Sequence, residues 1–169
     1  MAAAAVLGLS IAAAGAQPVP LPRAAVEADF TRLNCFVDLD EALRNQQRFD
    51  LGGGKRLVLV LCLQGAYQGS SIAYAIDGDA PPRLLDFPEW ERGRLVPSAF
   101  VTEAAFDPVT QEMTAFAKGR GLGDCGSLGT WRWNGTAFTL KTFFNKEKCD
   151  GRLFEGQERW RVFPPRKKK

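Results

Sequence analysis

The chain has 169 residues, 46% of them hydrophobic and 24% charged, a globular balance that excludes a disordered, collagen-like or multi-span membrane chain. It contains no histidine, which excludes Ser-His-Asp and Cys-His nucleophilic sites and His-liganded zinc. The net charge of +3 sits in Arg166, Lys167, Lys168 and Lys169; without them 18 basic residues (22 less these four) face 19 acidic ones, so no basic face for nucleic acid is expected in the body of the protein.

Taken from the N-terminus, Ala2 to Ala16 are small or apolar and uncharged. The run is short of the ~20 residues that span a bilayer, so no transmembrane segment is expected. It fits the apolar region of a secretory signal, with Ala14-Gly15-Ala16 as the cleavage pattern. No Lys or Arg precedes the run, which departs from that pattern. The expected organisation is a signal peptide over 1–16, a Pro-rich linker over 17–22, a single β-rich domain over 23–163 and a basic tail over 164–169. The expected location is periplasmic or secreted.

Val26, Phe30 and Leu33 share one helical face and predict a helix over Arg23–Asn34. Asp38 followed by Glu41 reads as the N-cap of a second, short helix. The period then changes to that of strands. Arg48–Leu51 and Lys55–Leu63 flank the turn Gly52-Gly53-Gly54, and the continuous apolar run Leu57–Leu61 predicts a strand buried on both faces. Ser71–Asp77 and Arg83–Phe87 flank a Gly/Pro turn, and Ala99–Phe106 and Glu112–Lys118 flank another loop. Thr130–Trp133 and Thr136–Leu140 surround Asn134-Gly135, which predicts a type I′ turn with both central residues at positive φ. Arg159–Phe163 is a last candidate strand. The fold class expected is mainly β, an antiparallel barrel or sandwich with one or two short N-terminal helices. Trp131 and Trp133, two apart on a strand, face the same side and are expected in the core.

Four cysteines, Cys35, Cys62, Cys125 and Cys149, form no CxxC pair. Behind a signal peptide an even count reads as two disulfides, and pairing neighbours in sequence gives Cys35–Cys62 and Cys125–Cys149. Oxidised cysteines are not nucleophiles. Gly121–Gly126 matches GxGxxG, but a strand follows where a dinucleotide site needs a helix N-terminus, so no cofactor is expected. Asp38/Asp40 and Glu89/Glu91 are carboxylate pairs two residues apart; a catalytic or metal role is the minority reading beside simple solvation. The segment Phe116–Gly126 holds two cations, one carboxylate and four glycines around a crosslink. Either Arg120 or Lys118 pairs with Asp124 to fix the loop, or a rigid loop presents Lys118 and Arg120 to an acidic partner.

The block Lys118-Gly119-Arg120-Gly121-Leu122-Gly123-Asp124-Cys125-Gly126, followed by Trp131-Arg132-Trp133-Asn134-Gly135 and Cys149-Asp150-Gly151, resembles the bacterial domain-of-unknown-function family 1176. Cys62-Leu63-Gln64-Gly65-Ala66-Tyr67 resembles that family's Cys-x-x-Gly-Ala-Tyr motif. Gln68 stands where the family pattern has Asn, and the family's Trp-Pro ending is missing. The resemblance implies export, both disulfides and a match to the C-terminal half of longer members; it implies no activity. The function expected is an exported binding module, one form of which is a protein inhibitor of a cell-wall hydrolase such as lysozyme. The alternative is a carboxylate-based hydrolase acting on envelope polysaccharide. The binding residues expected are Lys118, Arg120, Asp124 and Tyr67, with an envelope protein or polysaccharide as partner.

Overall fold

A computed structural model describes residues 21–154 and 158–165. The expected signal peptide, linker positions 17–20 and tail residues 166–169 lie outside the described residues. Two helices come first, α1 (Arg23–Arg32) and α2 (Leu39–Arg44). Val26 and Phe30, one turn apart, are the buried residues of α1. Asp38 caps α2 as expected, its carboxylate accepting the Glu41 backbone N–H at 2.8 Å.

Twelve described strands follow: β1 (Gln47–Gly52), β2 (Lys55–Gln64), β3 (Gly69–Asp77), β4 (Arg83–Leu84), β5 (Glu89–Glu91), β6 (Arg94–Val96), β7 (Val101–Thr102), β8 (Ala105–Asp107), β9 (Glu112–Lys118), β10 (Gly126–Trp133), β11 (Phe138–Lys146) and β12 (Arg161–Phe163). The first sheet has the order β1-β2-β3-β4, with β7 also on β3. The second has the order β12-β11-β10-β9-β8, and β5-β6 is a separate hairpin. The pairings are antiparallel. This is the mainly-β antiparallel architecture read from the sequence.

Burial explains the layering. Along β2, Leu57 and Leu59 join the core between the two sheets, where Trp131, Trp133, Phe138 and Phe143 also sit. Val58 and Val60 point the other way, into a second core with Val26 and Phe30 of α1 and Ala42 of α2. A strand covered by a sheet on one face and helices on the other must be apolar at every position, as the run Leu57–Val60 is. Trp131 and Trp133 are both core residues, and the Trp131 indole N–H donates to the Pro88 carbonyl at 2.7 Å. The Tyr74 hydroxyl on β3 donates to Asp29 of α1 at 2.9 Å; burial first, then this bond, pushes its pKa well up.

Four expectations are corrected. The strand expected over Ala99–Phe106 is two strands, because Glu103 adopts φ +47° and turns the chain from the first sheet to the second. The Asn134-Gly135 turn is not type I′: only Gly135 has positive φ, and Asn134 accepts the Thr136 and Ala137 N–H groups in a four-residue loop closed by Trp133 opposite Phe138. The Arg83–Phe87 strand is shortened to Arg83–Leu84, opposite Ala75 and Tyr74, and Arg159–Trp160 belongs to a 3₁₀ turn before β12.

Both disulfides form as paired from the sequence. Cys35–Cys62 joins the turn between the helices to β2, and Cys125–Cys149 joins the base of β10 to the segment after β11. Among the described residues, no helix is long and apolar enough to cross a membrane.

Candidate functional site

Strands β9 and β10 are hairpin partners, with Lys118 opposite Gly126. The loop between them is drawn tight by Gly119 N–H to Cys125 O at 2.9 Å and by Gly123 N–H to Arg120 O at 2.9 Å. Gly126 is required at the base: its φ is +135°, and a Cβ there would lie 2.1 Å from the Ala117 carbonyl oxygen. These contacts follow from the KGRGLGDCG block, whose glycines let two backbones and a disulfide share one small volume.

Asp124 is wholly buried in this loop. Arg120 meets it in a two-bond fork, Nε to Oδ1 at 2.7 Å and Nη2 to Oδ2 at 2.5 Å, and the Gly151 N–H donates to Oδ2 at 2.6 Å. The Arg120 hydrogen bonds, helped by Gly151, hold the Asp124 carboxyl well below the usual carboxylate range despite its burial. The Arg120 side chain remains 50% exposed. Of the two readings of this segment, the internal pair is therefore present, and it leaves part of the guanidinium open to solvent.

The other two expected residues come to the same place. The Gln68 side-chain amide donates to Lys118 O at 3.2 Å and accepts the Lys118 N–H at 2.9 Å, tying the β2–β3 loop to the end of β9. That loop sets Tyr67 against Gly121, where an added Cβ would stand 3.5 Å from the ring. Tyr67, Lys118, Arg120 and Asp124 thus belong to one group of loops. Asp124 is the exception to surface contact, since its place is beneath Arg120.

The segment after β11 completes the group, and the sequence reasoning missed how it is held. Lys146 is wholly buried, donating to Asp150 at 2.6 Å and to the Arg152 carbonyl at 2.7 Å, with the Trp160 ring 5.6 Å away. The Phe154 N–H donates to Gly123 O at 3.2 Å, and the Phe154 ring lies 5.7 Å from that of Phe116. The one cue in the sequence was a lysine four residues before an aspartate, across Cys149. Tyr67 (47% exposed), Leu122 (55%) and Leu153 (56%) are the large hydrophobics that this group leaves open to solvent.

The carboxylate pairs resolve separately. Asp38 caps α2 and Asp40 pairs with Arg23. Glu91 is exposed, 3.7 Å from Arg92. Glu89 is half-buried, and burial pushes its pKa up. Asp124, Cys125 and Cys149 place three potential metal-ligand atoms within 4.8 Å of one another, but both sulfurs are consumed by the disulfide and Asp124 is taken by Arg120 and Gly151.

Fold and site together define a helix-covered antiparallel β protein with a disulfide-braced cluster of polar loops at one place on its surface. The family model described as "Protein of unknown function (DUF1176)" matches residues 4–164, and the chain belongs to that family. The uncharacterized protein YpfG of Escherichia coli (strain K12) is 30% identical over 126 residues, 72% of this chain and 35% of YpfG, so the chain spans about a third of that relative's length. No solved structure matches.

Proposed function

We propose that this chain is an exported binding module that captures an acidic envelope macromolecule through Tyr67, Lys118, Arg120 and Leu122. The observation that carries the reading is the Arg120–Asp124 fork: a buried carboxylate fixes the plane of a guanidinium that is still half exposed. A guanidinium held in one plane loses little freedom on meeting a second carboxylate or phosphate. Beside it stand an exposed tyrosine and an exposed leucine, side chains that supply contact energy at protein interfaces. Two disulfides support export, because such bonds persist in oxidising compartments.

A cell-wall hydrolase is a partner of suitable chemistry, since glycosidase clefts carry paired carboxylates. The alternative, that this chain is itself a carboxylate-based hydrolase, has less support. Of the carboxylates in the two expected pairs, Asp38, Asp40 and Glu91 already serve a helix cap or stand beside arginines.

The test is inhibition of a panel of lysozymes by the purified protein, with Leu122→Ser and Lys118→Ala as variants. Inhibition by the parent and its loss in the variants, at unchanged Tm, is the expected result. No inhibition of any lysozyme type removes the hydrolase-inhibitor form of the reading. Inhibition indifferent to both variants removes the site.

A further inference from the structure

A cavity of about 400 Å³ opens beside Tyr67, on the side of the β2–β3 loop that faces the sheet-switching corner at Glu103. Its lining includes Gln47, Leu61, Gln64, Tyr67, Ser71 and Glu103. The volume falls in the range of small-ligand sites. The lining is too rich in amides and hydroxyls for a lipid or other apolar ligand, and no Lys or Arg is among the lining residues to neutralise an anion. What it offers is an aromatic ring, a leucine, the Gln47 amide, the Gln64 side-chain oxygen, a hydroxyl and one carboxylate, the Gln64 NH₂ group being already engaged by the Gly65 and Gln68 carbonyls.

Glu103 is built into this place. It is a non-glycine residue at φ +47°, held by its own N–H to Gly69 O at 3.0 Å and by the Gly69 N–H to its Oε1 at 2.9 Å. Strained residues persist where the surroundings over-determine them, and they gather at ligand sites. Gly69 occupies one carboxylate oxygen and leaves the other able to accept a hydroxyl proton. The Tyr67 ring lies beside Gly121 of a crosslinked loop, where an added Cβ would stand 3.5 Å from it.

We infer that this cavity is a subsite for one neutral pyranose ring of a glycan, stacked on Tyr67 and hydrogen-bonded through its hydroxyls to Gln47, Gln64, Ser71 and Glu103. A pyranose has an apolar C–H face and a rim of hydroxyls that both donate and accept, which is the complement of this lining. The single lining carboxylate suits binding, because hydrolysis needs two across the scissile bond. The inference goes beyond the docking reading and shares only Tyr67 with it.

The experiment titrates the full chain calorimetrically with chitotriose, cellotriose and mannotriose, and with a triuronate as the acidic comparison. Binding of at least one neutral trisaccharide, with a Kd on the order of 1 mM, is expected. Tyr67→Ala is expected to weaken it about fivefold or more, and Gln47→Ala severalfold at unchanged Tm. No neutral trisaccharide bound, binding of the triuronate alone, or binding indifferent to both variants overturns the inference. A silent sugar titration with lysozyme inhibition intact discards the cavity alone. Sugar binding without inhibition discards the docking reading alone.

Discussion

The two disulfides close loops of nearly equal length, with sequence separations of 27 and 24, yet they stand in opposite surroundings. Cys62 is buried in the apolar core beneath the helices, with Val26, Phe30, Val58 and Val60. Cys125–Cys149 lies among buried charges: Asp124 beneath Arg120, and Lys146 joined to Asp150. One crosslink reinforces a layer that hydrophobic burial already holds. The other joins loops whose remaining ties are mostly polar: the Gly151 N–H to Asp124, the Phe154 N–H to Gly123, and the two bonds from Lys146. Polar ties are directional and fix position, whereas apolar contacts tolerate repacking. The candidate binding surface is therefore the one whose shape depends on individual hydrogen bonds.

Arg120→Ala attacks the polar region hardest. It leaves Asp124 as a buried carboxylate with only backbone donors, and a Tm fall on the order of 10 °C is expected by differential scanning calorimetry. A Tm within a degree or so of the parent would mean that the fork contributes nothing to the loop.

Replacing each cysteine pair by serine sharpens the contrast between the regions. The similar loop lengths predict similar losses, roughly 3 kcal/mol each by urea denaturation. The local effects should differ. Losing Cys125–Cys149 should abolish lysozyme inhibition where the parent shows it, while losing Cys35–Cys62 should leave it intact wherever the protein is still folded. Equal loss of inhibition in both variants would deny that the two regions are distinct.

The smallest expected effect is a pH dependence of opposite sign at two carboxylates, Asp124 in the charged loops and Glu89 beside the core between the sheets. Asp124 titrates below its ordinary value, so its stabilisation is complete above about pH 4 and is lost as the pH falls toward the lowered pKa. Glu89, near the core between the sheets, titrates above its ordinary value because burial disfavours its charge. Its contribution is favourable below that ordinary value and is lost as the pH rises through the raised pKa. Glu89→Gln should therefore be more stable than the parent at pH 7, by an amount that shrinks toward pH 4. A difference that does not vary with pH would refute the assignment.

How much of this was legible in the sequence follows the same division. Apolar patterning announced the doubly covered strand β2 and the core placement of Trp131 and Trp133, because burial acts on residue type at a fixed period. The disulfide pairing was legible because both bonds join neighbouring cysteines. The Glu103 corner was not, since nothing in the local composition marks a glutamate for positive φ; the Gly69 backbone across the sheet holds it there. The Gln68 clip spans 50 residues in sequence, and the bonds from the Gly151 N–H to Asp124 and from the Phe154 N–H to Gly123 are likewise long-range. Such contacts leave no periodic trace. The KGRGLGDCG block was singled out for its composition, but the fork within it became definite only when Asp124 proved to be buried.

The central claim is that Asp124 fixes the loops of the candidate surface as one unit. Native-state hydrogen exchange of the Gly151 and Phe154 amides, compared between the parent and Asp124→Asn, tests it most directly. An asparagine keeps one acceptor oxygen and loses the charge and the two-bond fork. Faster exchange at Gly151 and Phe154, with unchanged protection of the β2 and β3 amides, is the result predicted. Unchanged protection at Gly151 and Phe154 in the folded variant would contradict it.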